Sequence, residues 1–347
     1  MVPRPGQRES GPAHRAGDPL RARSHLRRGR QDRRAAAPAR RRARHQGRVK
    51  RIKNKVDGWV VLDKPLGLGS TTAVGRVRWL FGAAKAGHGG TLDPLATGVL
   101  PIALGEATKT VPFIMDGAKE YKFTLRFGEA RSTEDAEGEV TATSDVRPTD
   151  EAIRAALPAF TGTIQQTPPA FSALKIDGQR AYDLARAGAA VEMKPRTVTI
   201  DRLELLARPD ADHADFVVGC GKGTYIRSLG RDLARALGTV GHLSALRRTV
   251  VGPFREDRAI SLSKLEALGH NSPLLGALAP VATALDDIPA LAMTETQADR
   301  LRQGQPVVLT RDVPPSGALA RAECGERLVA LVRSDGVSLQ PVRVFNL

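Results

Sequence analysis

The sequence predicts a mixed α/β body followed by a small all-β domain. Tyr121, Phe123, Leu125 and Phe127 alternate with Lys122, Thr124 and Arg126, the pattern of a half-buried strand. Ile226, Leu229, Leu233 and Leu237 recur at helical spacing and stop at Gly238. The last stretch of the chain is instead a series of short apolar runs grouped around Asp335-Gly336, a strong hairpin turn. At 347 residues the chain is long enough for more than one domain and for a substantial core.

The first 54 residues stand apart. They hold 18 of the 53 lysines and arginines and only Glu9, Asp18 and Asp32 of the 37 acids, so they carry +15 of the net +16. The 35 basic and 34 acidic residues that follow leave the body close to neutral. A basic tail binds phosphates through counterion release whatever the body does, so the charge alone does not define a nucleic-acid enzyme. Runs such as Arg27-Arg28-Gly29-Arg30 and Arg40-Arg41-Arg42 have almost no apolar periodicity, and residues 1–54 read as a disordered extension. Three origins fit it: an RNA-binding arm, a transit-like presequence without a clear apolar face, or upstream sequence taken in by a misassigned start.

Trp59 to Leu62 reads as a short strand stopped at Asp63-Lys64-Pro65, after which Ser70 is placed to cap a helix carrying Val74, Val77 and Phe81. The strand at Tyr121 puts that tyrosine on the apolar face. Thr149 to Phe160 reads as a helix with acids in its first turn, and Gln165 to Lys175, with Pro168-Pro169, as an extended segment. A strand from Phe216 to Cys220 leads through Gly221-Lys222-Gly223 into the helix at Ile226, with Arg227 beside its apolar stripe. Strands at Val307 to Leu309, Leu319 to Cys324, Leu328 to Arg333 and Val337 to Phe345 make up the last domain. The expected boundaries are an extension over 1–54, a body over 55–290 and a β domain over 291–347.

Cys220 and Cys324 are too few and too isolated for a disulfide framework or a CxxC metal site, which fits a reducing cytoplasm. No apolar stretch approaches the roughly 20 residues needed to cross a bilayer. The chemistry points to Gly87-His88-Gly89-Gly90-Thr91-Leu92-Asp93-Pro94-Leu95-Ala96-Thr97-Gly98. No Gly-Lys-Ser/Thr follows at Walker spacing, and Gly87 to Gly90 is not a dinucleotide fingerprint. Asp93-Pro94 could open a plain turn. With Lys64, Tyr121, Tyr225 and Arg227 elsewhere and no ligand cluster, it could also hold a carboxylate for nucleophile or base work without a metal.

These segments together resemble the bacterial tRNA pseudouridine-55 synthases over roughly residues 57–347. The matching motifs are Leu62-Asp63-Lys64-Pro65 with Gly67 and Ser70, Gly87-His88 through Leu92 to Gly98, and Lys119-Glu120-Tyr121. Pro168 to Ala173 with Lys175, Gly178 and Tyr182, Lys222 to Arg227, and Leu246-Arg247-Arg248 follow in the family's order. The resemblance implies a pseudouridine synthase catalytic domain with a mixed, largely antiparallel sheet, an insertion over about 172–200 that closes on the T-loop, and a PUA-like RNA-binding β domain. It implies that a T-arm uridine of tRNA is isomerised after base flipping. Asp93 aligns with the catalytic aspartate and Arg227 with the arginine that holds it. Tyr121, counted with Arg227 as catalytic support, aligns with a pocket wall, as do Tyr225 and Leu246, and His88 aligns with a histidine near the displaced base. Lys64 aligns with the motif supporting the loop and is counted among the substrate-binding positions, although a scaffold role suits it better than a catalytic one. Tyr182 is assigned to packing.

No cofactor and no metal is implied, and the partner is tRNA, engaged by a cytoplasmic monomer with no obligate protein partner and no membrane. Gly89 departs from the family's usual threonine, a change expected to loosen the loop or remove an RNA contact. The alternative reading is a non-catalytic tRNA-binding or tRNA-folding factor on the same scaffold. Asp93 and Arg227 are the discriminating residues. A guide-RNA-dependent relative working in a particle is a further alternative, separated by whether the purified chain acts alone.

Overall fold

The computed structural model describes residues 55–172, 174–176, 178–187, 192–269 and 272–347. The expectations for the extension, for Ala173 and for part of the 172–200 insertion therefore lie outside the described residues. The first strand, β1 (Gly58–Lys64), is buried almost throughout and ends where Pro65 removes the next backbone donor. Helix α1 (Ser70–Phe81) follows, burying Ala73, Val77, Leu80 and Phe81. Ser70 does not cap it. Gly69 occupies the cap position, and the Ser70 hydroxyl instead donates to Leu92 O at 2.7 Å and accepts from Leu92 N at 2.9 Å. The sequence placed the residue correctly and its bond wrongly, because a serine there can serve either its own helix or a distant loop.

Strands β2 (Ala86–His88) and β3 (Ala96–Leu104) flank the Asp93 loop. A short helix α2 (Val111–Asp116) leads into β4 (Lys119–Phe127), the alternating strand of the sequence. The strands β5 (Glu129–Arg131) and β6 (Val140–Thr143) form a side ribbon. Helix α3 (Asp150–Ala156) is capped by Thr149 and gives way to a 3₁₀ turn over Leu157–Phe160, where Pro158 ends the α-helix expected to reach Phe160. Strand β7 (Gly162–Gln166) precedes a small hairpin, β8 (Lys175–Ile176) and β9 (Gln179–Arg180), and helix α4 (Ala181–Arg186). Long strands β10 (Arg196–Ala207) and β11 (His213–Cys220) then lead to α5 (Ile226–Ala236), β12 (Gly241–Val251), β13 (Phe254–Arg255), β14 (Ile260–Ser261) and α6 (Leu262–Leu268).

These strands build one sheet in the order β14-β1-β3-β12-β4-β11-β10-β7, with β2 beside β3 and β13 beside β12. The β1–β14 and β3–β12 pairs are parallel and the other pairings antiparallel, so the sheet is mixed and largely antiparallel. On one face α5 buries Ile226, Leu229 and Leu233 against Phe123, Leu125, Phe216 and Leu243. Each such fully buried side chain contributes about 1.5–3 kcal/mol. On the same face α1 covers Leu62, Leu100, Ile102 and Leu104. Between these two cores the β3–β12–β4 centre of the sheet stays open as a pocket.

The opposite face carries Trp59, Val61, Val99 and Ala103, with Trp59 packed 5.1 Å from Phe254. A separate five-stranded sheet ends the chain, ordered β15 (Ala290–Ala292), β17 (Leu319–Cys324), β18 (Arg327–Ser334), β19 (Ser338–Val344) and β16 (Val307–Val308). Helix α7 (Glu295–Arg302), with a Thr294–Gln297 capping box, buries Ala298 and Leu301 against it. Asp335-Gly336 makes the predicted turn: Asp335 accepts from Val337 N and Ser338 N, and Gly336 takes φ +94°. Leu328, Leu331 and Phe345 pack with Trp59 and Val61, so this sheet shares a core with the larger one.

Candidate active site

The Asp93 loop is fixed by main-chain bonds as much as by its glycines. Gly89 N donates to Pro101 O at 2.8 Å, Ala96 N to Asp93 O at 3.0 Å, and Gly67 N to Pro94 O at 2.9 Å. Lys64 supports it from beneath. Its ammonium donates to Leu68 O at 2.8 Å, Pro65 O at 3.0 Å and Pro94 O at 3.2 Å, and the residue is 0% exposed. Burial lowers its pKa to about 8, against the pull of the Asp93 carboxylate and with the help of Arg248. A wholly buried lysine does not meet substrate. The expectation that Lys64 binds it is corrected to loop support, because three carbonyls already take its three donors.

Asp93 faces a pocket of about 290 Å³, at the small end of ligand sites, lined also by Tyr121, Tyr225, Arg227, Leu246, Lys119 and Arg248. Arg227 donates from Nη2 to Asp93 Oδ2 at 2.9 Å, with side-chain exposures of 6% and 41% respectively. Its guanidinium also donates to Thr133 O from Nη1 and to Phe171 O from Nη2, both at 2.8 Å, and its Nε lies 3.7 Å from Asp135 Oδ2. Arg227 thus sits well inside the core and not at its rim. It stands in the first turn of α5, where the helix dipole disfavours a cation, and the two carboxylates and two carbonyls offset that cost. Because Asp93 stays partly exposed, the arginine orients the carboxylate more than it compensates for burial.

Sequence reasoning missed three supports. Asp135 is held by the Thr133 hydroxyl at 2.6 Å and Glu137 N at 3.1 Å, in a turn where Glu134 takes φ +64°. Glu134 itself binds Arg231 and the Ser228 hydroxyl of α5. Gln166, almost fully buried, clamps Tyr225 by accepting from its N at 2.8 Å and donating to its O at 3.1 Å. The Ser132–Asp135 run of turn-forming polar residues was the only signal for the first two. Nothing in the sequence announced the third.

Tyr121 and Tyr225 line the same pocket as Asp93, and burial raises both phenol pKa values. Lys119 lies at the pocket end of β4, donating to Met115 O and Gly117 O, with a pKa lowered to about 8 by burial and then by Arg248. His88 is placed on β2 outside the residues lining the pocket. Its Nδ1 accepts from Gly90 N at 3.3 Å, and burial followed by Arg248 lowers its pKa, so it enters as a neutral brace of the loop. Tyr182 packs edge-on against Phe171 at 6.0 Å, with Arg186 over its ring.

Gly89 has a steric explanation. A Cβ there would overlap the Cγ2 of Ile114, which is buried in the core beneath. The loop is therefore packed, not loosened. Gly89→Thr is expected to cost about 1–3 kcal/mol by overpacking, read as a lower melting temperature, and Ile114→Ala in the same chain should recover part of it.

A mixed sheet that presents an arginine-held carboxylate in one pocket with two tyrosines and a leucine is the site expected of an enzyme of the pseudouridine synthase class. Among the described residues no group of three or more His, Cys, Asp or Glu is placed to hold a metal ion. Residues 78–226 match the TruB family pseudouridylate synthase N-terminal domain, and residues 227–286 the tRNA pseudouridylate synthase B C-terminal domain. The tRNA pseudouridine synthase B of Bradyrhizobium diazoefficiens is 58% identical over 86% of this chain and 88% of its own length. That of Caulobacter vibrioides is 56% identical over 84% of this chain and 97% of its own. Among solved structures, a chain of a Cbf5-Nop10-Gar1 complex superposes with a TM-score of 0.63 at 28% identity, over 83% of this chain and 84% of that one. A chain of an H/ACA RNP bound to a substrate RNA containing 2'-deoxyuridine gives 0.64 at 25% identity, over 84% and 85%. The chain belongs to the TruB family of pseudouridylate synthases and is an enzyme that makes pseudouridine.

Proposed function

We propose that this enzyme isomerises the uridine at position 55 of tRNA, in the T-arm, with Asp93 as the group that acts on the target nucleotide. The substrate class is tRNA, in line with the relatives named tRNA pseudouridine synthase B at more than half identity. The observation that carries the residue assignment is the Asp93–Arg227 pair at 2.9 Å inside a pocket walled by Tyr121, Tyr225 and Leu246. Flipping a base out of the stack costs about a few kcal/mol, and stacking on an aromatic wall returns roughly 1–3 kcal/mol. The bond from C1′ to N1 breaks, one from C1′ to C5 forms, a proton leaves C5 and N1 gains one. The atoms balance without a co-substrate, so no cofactor is called for. Arg227 keeps the carboxylate aimed at the ribose, while the tyrosines hold the base and exclude water.

A non-catalytic tRNA-folding factor would not need a carboxylate held by a buried arginine, and that reading is not favoured. The guide-dependent reading rests on structural likeness at 25–28% identity, well below the identity to relatives named as tRNA enzymes. The chain works as a cytoplasmic monomer on tRNA, and among the described residues no helix is long and apolar enough to cross a membrane. Mapping pseudouridine in a T-arm transcript after incubation with the purified chain tests this function. Pseudouridine at the T-loop uridine is the expected result, and an unmodified transcript would refute it.

Residues 1–48 are expected to be dispensable. Deleting them should leave turnover on the T-arm unchanged, with any loss of RNA affinity confined to low salt, as for a non-specific electrostatic arm. Initial rates and melting temperatures of both chains at two salt concentrations check this. A truncated chain that loses activity at high salt would make the extension part of the enzyme.

A further inference from the structure

We propose that Arg248 is the positioning residue that locks the Asp93 loop in register with Tyr121 for the isomerisation. This rests on the reading of Asp93 given above. In the sheet, Arg248 of β12 stands between Gly98 of β3 and Tyr121 of β4, directly opposite each. Cross-strand partners share a face, so its side chain lies on the pocket side, next to the Tyr121 ring. From there the guanidinium reaches both limbs of the loop. It donates to Gly90 O at 2.9 Å and Thr91 O at 3.3 Å on the entering limb, and to Val99 O at 2.9 Å just past the leaving one.

Two glycines of the loop lie against this residue. At Gly98, with φ +96°, a Cβ would overlap the Arg248 carbonyl, so only glycine lets β3 approach β12 there. At Gly90, with φ +129°, a Cβ would lie 3.4 Å from Arg248 Nη1. Arg248 is 2% exposed, and among the described residues no carboxylate pairs with it. Burying a guanidinium against carbonyls and the Tyr121 phenol, with no paired carboxylate, is costly, and a core that needed only volume there would carry leucine or methionine. The fork does what an apolar side chain cannot: it ties three carbonyls on two limbs to one strand. Arg227 aims the Asp93 carboxylate. Arg248 fixes the backbone that carries it.

A displacement of about 1 Å at a reacting group costs on the order of a hundredfold in rate. Single-turnover pseudouridine formation and tRNA Kd are measured for the wild-type chain, Arg248→Met, Arg248→Lys and Asp93→Asn, with thermal melts alongside. Arg248→Met should slow the chemical step about a hundredfold, and Arg248→Lys at least about thirtyfold because one ammonium does not span both limbs, while Kd stays within about threefold. A folded variant that loses less than this, or whose Kd worsens as much as its rate, overturns the proposal. If Arg248→Met fails to fold, Arg248→Lys decides by the same criteria. An active wild type with an active Asp93→Asn would instead overturn the reading of Asp93, so the two failures are told apart.

Discussion

Asp93→Asn should end pseudouridine formation, with a fall of at least about four orders of magnitude in single-turnover rate, the scale seen when a nucleophile is removed. Asparagine keeps the shape and can still accept from Arg227 Nη2, so the loop bonds at Gly89, Ala96 and Pro94 survive. What it lacks is the charge and nucleophilicity of the carboxylate. Binding should stay within about tenfold, because phosphate contacts rather than one pocket side chain dominate RNA affinity. The comparison is single-turnover rate against Kd on the same T-arm RNA. Measurable turnover by a verified Asp93→Asn chain would falsify the role given to this residue and move attention to Tyr121, Tyr225 and Lys119, which also line the pocket.

What was legible in the sequence was whatever is local or motif-borne. The alternation through Phe123 and the stripe through Leu229 carry their own periodicity, and the structure places both where the pattern says. Asp93, Arg227, Tyr121, Tyr225 and Leu246 stood in recognisable motifs, and one pocket brings them together. The rest depended on where a side chain points across long separations. Ser70 is fit to cap a helix by every local rule, yet it bonds to Leu92, 22 residues on. Lys64 stood in a loop-supporting motif, but that its ammonium is taken up by the carbonyls of Pro65, Leu68 and Pro94 is visible only in the fold. Asp135 meets Arg227 only because a strained turn at Glu134 is folded back onto α5. The glycine at position 89 reads as a lost hydroxyl in one dimension, and in three it is the space that Ile114 fills.

Arg227→Ala is expected to lower the rate about a hundred- to a thousandfold, the range for removing one preorganised electrostatic contact at a reacting group. The loss has two sources that can be separated. The Asp93 carboxylate would be freed to turn into the solvent it already half faces, which slows the chemical step. Asp135, Thr133 O and Phe171 O would lose a buried donor, which lowers stability and slackens the turn at Glu134. Arg227→Lys tests the division. A lysine restores the positive charge but not the planar fork, so it can reach Asp93 or the Thr133 and Phe171 carbonyls, and not all at once. The melting temperature should then recover more than the rate does, since stability is served by any one of those contacts and catalysis only by the aim of Asp93. Equal recovery of both, or a lysine variant as active as the wild type, would mean that charge alone is required and that the geometry of the fork has no part in orienting the carboxylate.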